Sequence, residues 1–155
     1  MSAPTTTPSL TYLTTVKVKV GAPIEVGETS EGFRRVIPIV GGTVEGPELR
    51  GSVLPVGADF QLLKSDTLTE LEAKYVIETD DGEKIYVSNV GLRAGSAEDI
   101  AALVRGEAVD PDRIYFRCVP RMVSGGRWAW LGSRVLVGTG VRHPDAVHLE
   151  FFVVE

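Results

Sequence analysis

The chain has a single cysteine, Cys118, among its 155 residues. One thiol excludes an internal disulfide framework and any cysteine-based structural zinc site. It fits a reducing compartment, and a cytoplasmic location is the expectation. Histidine is almost as scarce, with only His143 and His148. Both are expected at the surface, so no metal site is expected. Positive charge is in deficit: 16 Lys and Arg face 21 Asp and Glu, for a net charge of −5. Nucleic-acid binding is therefore disfavoured and not expected, because phosphate neutralisation needs clustered Lys and Arg. No stretch approaches the roughly 20 apolar residues of a membrane-crossing helix, so no membrane partner is expected. The segment MSAPTTTPSL has neither a basic start nor an apolar stretch, and does not read as a secretory signal. Residues 1–9 read instead as a flexible, solvated tail, and residues 10–155 as one domain. Also missing are a G-x-S-x-G elbow, a phosphate loop and an H-E-x-x-H pair. GGTVEG lacks the Lys-Ser/Thr ending that a phosphate loop requires. No cofactor is expected.

What remains is period two. Hydrophobic residues make up 43% of the chain, enough for one real core. Val16, Val18 and Val20 alternate with Lys17 and Lys19, the pattern of a half-buried strand. Further strands are expected at Ile24–Val26, Arg35–Val40, Thr43–Glu45, Leu49–Leu54 and Ala58–Leu63. Pro38 and Gly41-Gly42 mark an edge or a bulge. Leu68–Thr79 and Glu83–Leu92 flank Asp80-Asp81-Gly82, a strong hairpin signal. That hairpin puts Tyr75, Ile77 and Thr79 on an inward face. Arg113–Val119, Arg127–Gly138 and Val147–Val154 complete the strands. The last is apolar on both faces, which calls for cover from the helix or from a second subunit, and a homo-oligomer is possible. One amphipathic helix is expected: Ser96 caps it, Ile100, Leu103 and Val104 form its apolar stripe, and Gly106 ends it. The expected architecture is all-β, a single antiparallel barrel of about eight strands with one short helix. A two-sheet sandwich is the runner-up.

Chemistry is sought among polar residues on faces that should be buried. Asp59 and Gln61 alternate with Phe60 and Leu62. Asn89 and Arg93 share a face with Ile85 and Val87, Arg117 shares one with Tyr115, and Trp130 shares one with Trp128 and Arg134. If several of these faces line one lumen, a carboxylate, a guanidinium and a tyrosine converge in an apolar cup. Such a group can polarise a carbonyl and move a proton. The alternative is a structural Asp–Arg pair closing the barrel. Glu45, between Gly42 and Gly46, is either a general base or a solvated turn carboxylate. Arg34-Arg35, a local basic pair on an acidic protein, reads as a solvated strand start, with an anion contact as the alternative. Cys118, alternating with Ile114 and Phe116, reads as an inert core residue.

Taken together, RRVIPIVGGTVEGPELRGSVLPVGADFQLL, LEAKYVIETDDGEKIYVSNVGLR, YFRCVPRM and RWAWLGSRVLVGTG resemble the domain-of-unknown-function 3237 family. The resemblance spans roughly residues 10–154. It implies a small barrel similar to the allene oxide cyclase and dirigent-like barrels. By fold-level analogy it implies small hydrophobic or aromatic ligands and isomerase, cyclase or lyase chemistry. Carried onto the matching motifs, it points to Glu45, Arg50, Asp59, Gln61, Tyr75, Asn89, Arg93, Arg117 and Trp130 as lumen residues. Two positions depart from the family pattern: Phe60 stands where Trp is frequent, and Gly132 where Asn is expected.

The resulting expectation is a cofactor-independent enzyme acting on an enolisable carbonyl or aromatic metabolite. Asp59 or Glu45 accepts the proton, Arg93 or Arg117 stabilises an oxyanion, and Tyr75 or the out-of-phase Tyr86 donates a proton. Arg50, Gln61, Asn89 and Trp130 hold the ligand. Its rival is a binding barrel without catalysis.

Overall fold

A computed structural model describes residues 6–155. Of the tail expected at 1–9, residues 1–5 lie outside the described residues, and Thr6–Ser9 are exposed coil. Ten strands follow: β1 (Leu10–Val20), β2 (Ile24–Thr29), β3 (Gly32–Glu45), β4 (Gly51–Val53), β5 (Ala58–Leu63), β6 (Leu68–Thr79), β7 (Lys84–Ala94), β8 (Tyr115–Val123), β9 (Leu136–Arg142) and β10 (Ala146–Val154). All pairings are antiparallel. The order runs β1-β10-β9-β8-β7-β6, then β4 and β5 in tandem, then β3, which returns to β1. This is a closed eight-stave barrel. The shared stave of β4 and β5 and the outlying β2 account for the two extra strands.

Closure depends on β3, which is one long strand rather than the two short ones expected. It pairs with β1 and β2 on one side and with β4 and β5 on the other. Pro38 is not at an edge; its carbonyl accepts from the Gly21 N–H at 2.9 Å. The expected bulge is present just beyond it. Lys19 faces Gly41 while Val20 faces Ile39, so Val40 is the extra residue. Gly42 lies beyond the bulge at φ +150°, and a Cβ there would sit 2.2 Å from the Lys17 carbonyl oxygen. Only glycine lets β1 and β3 close at that point.

The hairpin of β6 and β7 turns through Asp80-Asp81-Gly82, with Gly82 at φ +90°. Tyr75, Ile77 and Thr79 point inward, and Glu72 and Glu78 point outward. The core packs Val16, Ile39, Leu71, Tyr75, Ile77, Val87, Met122 and Phe151 inside the barrel. Helix α1 (Ala97–Val104) is capped by the Ser96 hydroxyl, which accepts from the Asp99 N–H at 3.0 Å. It buries Ile100 and Leu103. Arg35 donates to its Val104 carbonyl at 3.2 Å, which ties the helix to the inward side of β3.

One expected strand, Arg127–Gly138, begins nine residues late. Residues 127–135 form a loop with a 3-10 turn at Ala129–Ser133, and β9 begins only at Leu136. The Glu83 carboxylate organises this loop, accepting from the Arg127 and Trp128 N–H groups at 2.8 and 3.0 Å. Trp128 is buried there at 3% exposure and Trp130 is turned out at 43%. On β10, the second apolar face is only partly covered: Phe152 packs against Tyr12 of β1 with ring centroids 5.8 Å apart. Among the described residues no helix is long and apolar enough to cross a membrane.

Candidate functional site

Strand alternation places a cluster of polar side chains inside the barrel. Asp59 and Gln61 come from β5, Tyr75 from β6, Asn89 and Arg93 from β7, Arg35 from β3 and Arg142 from β9. Tyr75 and Gln61 are 2% exposed, Arg35 3%, Arg93 5%, Asn89 6% and Arg142 9%. Cross-strand register explains the grouping: Asp59 faces Ala73 of β6, which faces Asn89 of β7. Asp59, Gln61, Tyr75, Asn89 and Arg142 line one internal cavity, together with Leu71, Phe116, Cys118 and Leu149. Arg93 flanks it, its guanidinium carbon 4.9 Å from the Phe116 ring centroid.

Partners are unevenly distributed. Gln61 Nε2 donates to Asp59 Oδ2 at 2.9 Å. Arg142 Nη1 donates to the carbonyls of His143 and Ala146 at 2.6 and 3.1 Å. By contrast, Asp59 Oδ1, the Tyr75 hydroxyl, Asn89 Oδ1, Arg35 Nε and both Nε and Nη2 of Arg93 are buried with no protein partner. Buried polar atoms are nearly always paired, so six orphans in one barrel are a chemical signal.

The electrostatics follow from burial. Burial pushes the Asp59 carboxyl above its ordinary range; the Gln61 hydrogen bond and the charges of Arg93 and Arg142 pull it partly back. Burial lowers Arg93 to about 10, with Asp59 opposing, so Arg93 is still a cation at neutral pH. Burial likewise lowers Arg35 and Arg142. The Tyr75 phenol is raised by burial, helped by Cys118 and Asp59, so it keeps its proton. Burial pushes the Cys118 thiol up to about 11, which makes it a core residue rather than a nucleophile. The site is thus a carboxyl of raised proton affinity, a neutral phenol and three guanidinium groups inside an apolar wall. That combination can exchange a proton and hold an anion.

Five expected lumen residues lie outside it. Arg117 projects outward over the Tyr115 ring, 5.4 Å away, because its neighbours Phe116 and Cys118 take the inward positions. Tyr86 is 50% exposed for the same reason, between inward Ile85 and Val87. Glu45 is exposed beside inward Val44. Arg50 is exposed and folds back onto the Gly46 carbonyl at 2.7 Å. Trp130 belongs to the 3-10 turn and rests against Trp128, centroids 6.2 Å apart. Arg35 and Arg142 went unrecognised. Arg35 is not a solvated strand start; it alternates with buried Ile37 and Ile39. Arg142 follows Gly138 and Gly140 at period two on β9. His143 and His148 lie side by side, ring centroids 4.2 Å apart, and no cluster of metal-ligating groups occurs among the described residues.

Two cavities compete for attention. The lumen offers about 40 Å³ to water centres, roughly three waters at about 10–15 Å³ each. A larger concavity of about 790 Å³ lies on the outer face, lined by Phe60, Leu92, Tyr115, Arg117 and Val119 among others. Its carboxylates are partnered: Glu70 and Glu72 have lysine partners, Lys64 and Lys74, each at 3.5 Å. Size favours the outer face; unsatisfied chemistry favours the lumen, and a reactive site is defined by its chemistry.

Comparison with known proteins agrees with this architecture. A family model described as "Protein of unknown function (DUF3237)" matches residues 8–154. The UPF0311 protein RPA1785 of Rhodopseudomonas palustris is 47% identical over 140 residues, covering 90% of this chain and 92% of that protein. Its crystal structure aligns with a TM-score of 0.93, over 97% of this chain and all (100%) of that one. A beta-barrel like protein of Acinetobacter baumannii is 36% identical with a TM-score of 0.85, covering 99% and 100%. An enzyme from Penicillium herquei shares the fold at a TM-score of 0.72 and 18% identity, with 100% of both chains covered.

Proposed function

We propose, for a chain that belongs to the DUF3237 family of proteins of unknown function, that the barrel lumen is a cofactor-independent acid–base site. It acts on a small enolisable carbonyl or aromatic metabolite by isomerase, cyclase or lyase chemistry. One observation carries the reading: Asp59 holds Oδ2 on Gln61 and leaves a buried Oδ1 free, on the same cavity as the unpartnered Tyr75 hydroxyl. A general base works best when its proton affinity approaches the ambient pH, and burial moves Asp59 in that direction. The same fold in a protein described as an enzyme lends analogy and no more.

In the reaction, ionised Asp59 takes a proton from the carbon beside the ligand carbonyl. The C–H electron pair becomes the enolate C=C bond and the carbonyl pair moves onto oxygen. Arg142, on the cavity wall, stabilises that oxyanion, and Arg93 lends its charge from behind Phe116. Tyr75, held as a phenol, donates a hydrogen bond. Asp59 then returns its proton at a different carbon; in the cyclase alternative Asp59 instead takes the proton of an internal hydroxyl, whose oxygen adds to the far carbon of an enone, the C=C pair becomes the enolate, and Asp59 delivers the proton to the enolate carbon. Gln61 fixes the carboxylate rotamer, and Leu71, Phe116 and Leu149 supply the apolar wall for a hydrophobic or aromatic ligand.

The test is solvent-deuterium exchange, followed by proton NMR, on a panel of small enolisable ketones, enones and lactones. Wild type should exchange at least one of them, and Asp59→Asn should slow that exchange by about 100-fold or more. Exchange unchanged in Asp59→Asn, or ligand binding with no exchange anywhere on the panel, leaves a binding barrel and overturns the catalytic reading.

A further inference from the structure

One row of the inner wall is built as a slot. Asp59 of β5 faces Ala73 of β6, and Ala73 faces Asn89 of β7. The two polar residues thus stand two strands apart, roughly 10 Å from backbone to backbone. Only a methyl group lies between them. All three residues line the lumen cavity. Ala73 is on the inward face, between buried Leu71 and buried Tyr75, yet Ala73 and Asp59 are both only half-buried. The gap over Ala73 is therefore open. Asp59 bounds it on one side and Asn89 on the other, with Tyr75 at the next inward position of β6.

The polar atoms around this slot have unequal needs. Asn89 is 6% exposed, and its Oδ1 has no partner. Its amide N–H is directed at the Cys118 sulfur, which leaves Oδ1 as the free end. An amide oxygen only accepts, and so does the unpartnered Oδ1 of Asp59 once it is ionised. The Tyr75 hydroxyl, also unpartnered, can donate. A ligand that offers a lone carbonyl would serve Tyr75 and leave the Asn89 oxygen buried without a donor, which is costly. A ligand with a hydroxyl beside its carbonyl answers both. The lumen volume of about 40 Å³, roughly three waters, suits a compact head group of that kind.

We infer that Asn89 is a specificity residue and that the lumen selects α-hydroxy carbonyl compounds: Asn89 Oδ1 accepts from the ligand hydroxyl while the Tyr75 hydroxyl donates to the ligand carbonyl. This rests on the acid–base reading above and narrows its substrate class. Asp59 takes the proton of the hydroxyl-bearing carbon. The C–H electron pair forms the C=C bond of an enediolate, and the carbonyl pair moves onto oxygen. Asn89 holds the second oxygen of that enediolate, the one that keeps its proton.

The experiment titrates the isotopically labelled full chain by NMR with hydroxyacetone and with butanone, which has the same shape and no donor. Wild type should bind hydroxyacetone at least about tenfold more tightly. Asn89→Leu should erase that preference. Should the variant fail to fold, methoxyacetone decides the matter on wild type: it keeps the oxygen and loses the donor, and it should bind as weakly as butanone. Butanone or methoxyacetone binding as tightly as hydroxyacetone overturns the inference. So does a preference that survives in Asn89→Leu, or no hydroxyacetone binding in the millimolar range. Deuterium exchange at the hydroxyacetone methylene, measured against the buffer rate, reads the catalysis separately. Selective binding without Asp59-dependent exchange sinks the acid–base reading and keeps the hydroxyl recognition. Asp59-dependent exchange of simple ketones without hydroxyl selectivity does the reverse.

Discussion

Asp59→Asn should make the fold more stable at neutral pH. The carboxyl binds its proton more tightly folded than unfolded, because burial outweighs the Gln61 hydrogen bond and the nearby guanidinium groups. Between the unfolded carboxyl's ordinary value of about 3.9 and its higher folded value, the native state holds the extra proton. Stability therefore falls as pH rises through that window and stays at its lower level above it. Each tenfold gain in proton affinity on folding costs about 1.4 kcal/mol once the group is ionised. Unfolding entropy of about 2.1 cal/mol/K per residue over 155 residues comes to about 0.33 kcal/mol/K. Each such tenfold factor thus lowers the melting temperature by about 4 °C. Asparagine is the shape of the protonated acid and keeps an oxygen for Gln61, so the variant escapes the penalty.

The assay is thermal unfolding of wild type and variant, followed by circular dichroism across the acid-to-neutral range. The two curves should converge at the acid end, with the variant pulling ahead as pH rises. An opposite result refutes the reasoning. If the variant is less stable at neutral pH by about 3–5 kcal/mol, and the gap closes on acidification, Asp59 is the structural counterion of the arginines. The lumen would then be a closed ion cluster rather than a site under tension.

Gly42→Ala should cost about 3 kcal/mol or more, since its Cβ would collide with the Lys17 carbonyl oxygen at a positive φ; chemical denaturation measures it. Cys118, buried with its thiol pushed up to about 11, should react with iodoacetamide more than about 100-fold more slowly folded than unfolded. Rapid labelling of native protein would contradict its burial. Helix α1 buries only Ile100 and Leu103, so its amides should exchange with deuterium by local opening, well ahead of the inner strands. Exchange only at the global unfolding rate would contradict that loose attachment.

The fold was legible wherever period two ran uninterrupted. The Tyr75–Ile77–Thr79 face and the Asp-Asp-Gly turn together fix one hairpin, its register and its inward side. Reading failed at Arg127–Gly138 because aromatic and β-branched residues there supply strand composition without strand context. Two orphan N–H groups of that loop are instead satisfied by Glu83, whose β7-proximal position in space is invisible in the linear chain. The length of β3 was hidden for a related reason: glycines that look like breaks at Gly41 and Gly42 are what allow the strand to continue past its bulge and meet β1.

The site was half legible, and the half that failed contains its own lesson. Phe116 and Cys118 read as core, and Arg117 stands between them. A strand cannot put three consecutive side chains on one face, so Arg117 had to point outward. The same logic excludes Tyr86, flanked by Ile85 and Val87. Applied to Arg35, which alternates with Ile37 and Ile39, it demands an inward guanidinium, and the reading of Arg34-Arg35 as a solvated strand start obscured it. Arg142 needed one more step, since Gly138 and Gly140 carry no side chain to announce their face. Those glycines are small because Phe116, Cys118 and Phe151 occupy the space a Cβ would fill, with contacts of 2.7–2.9 Å. What no alternation rule supplies is the sum. Only the closed barrel brings Arg35, Arg93 and Arg142 from three separate staves into the electrostatic reach of a single carboxylate, Asp59.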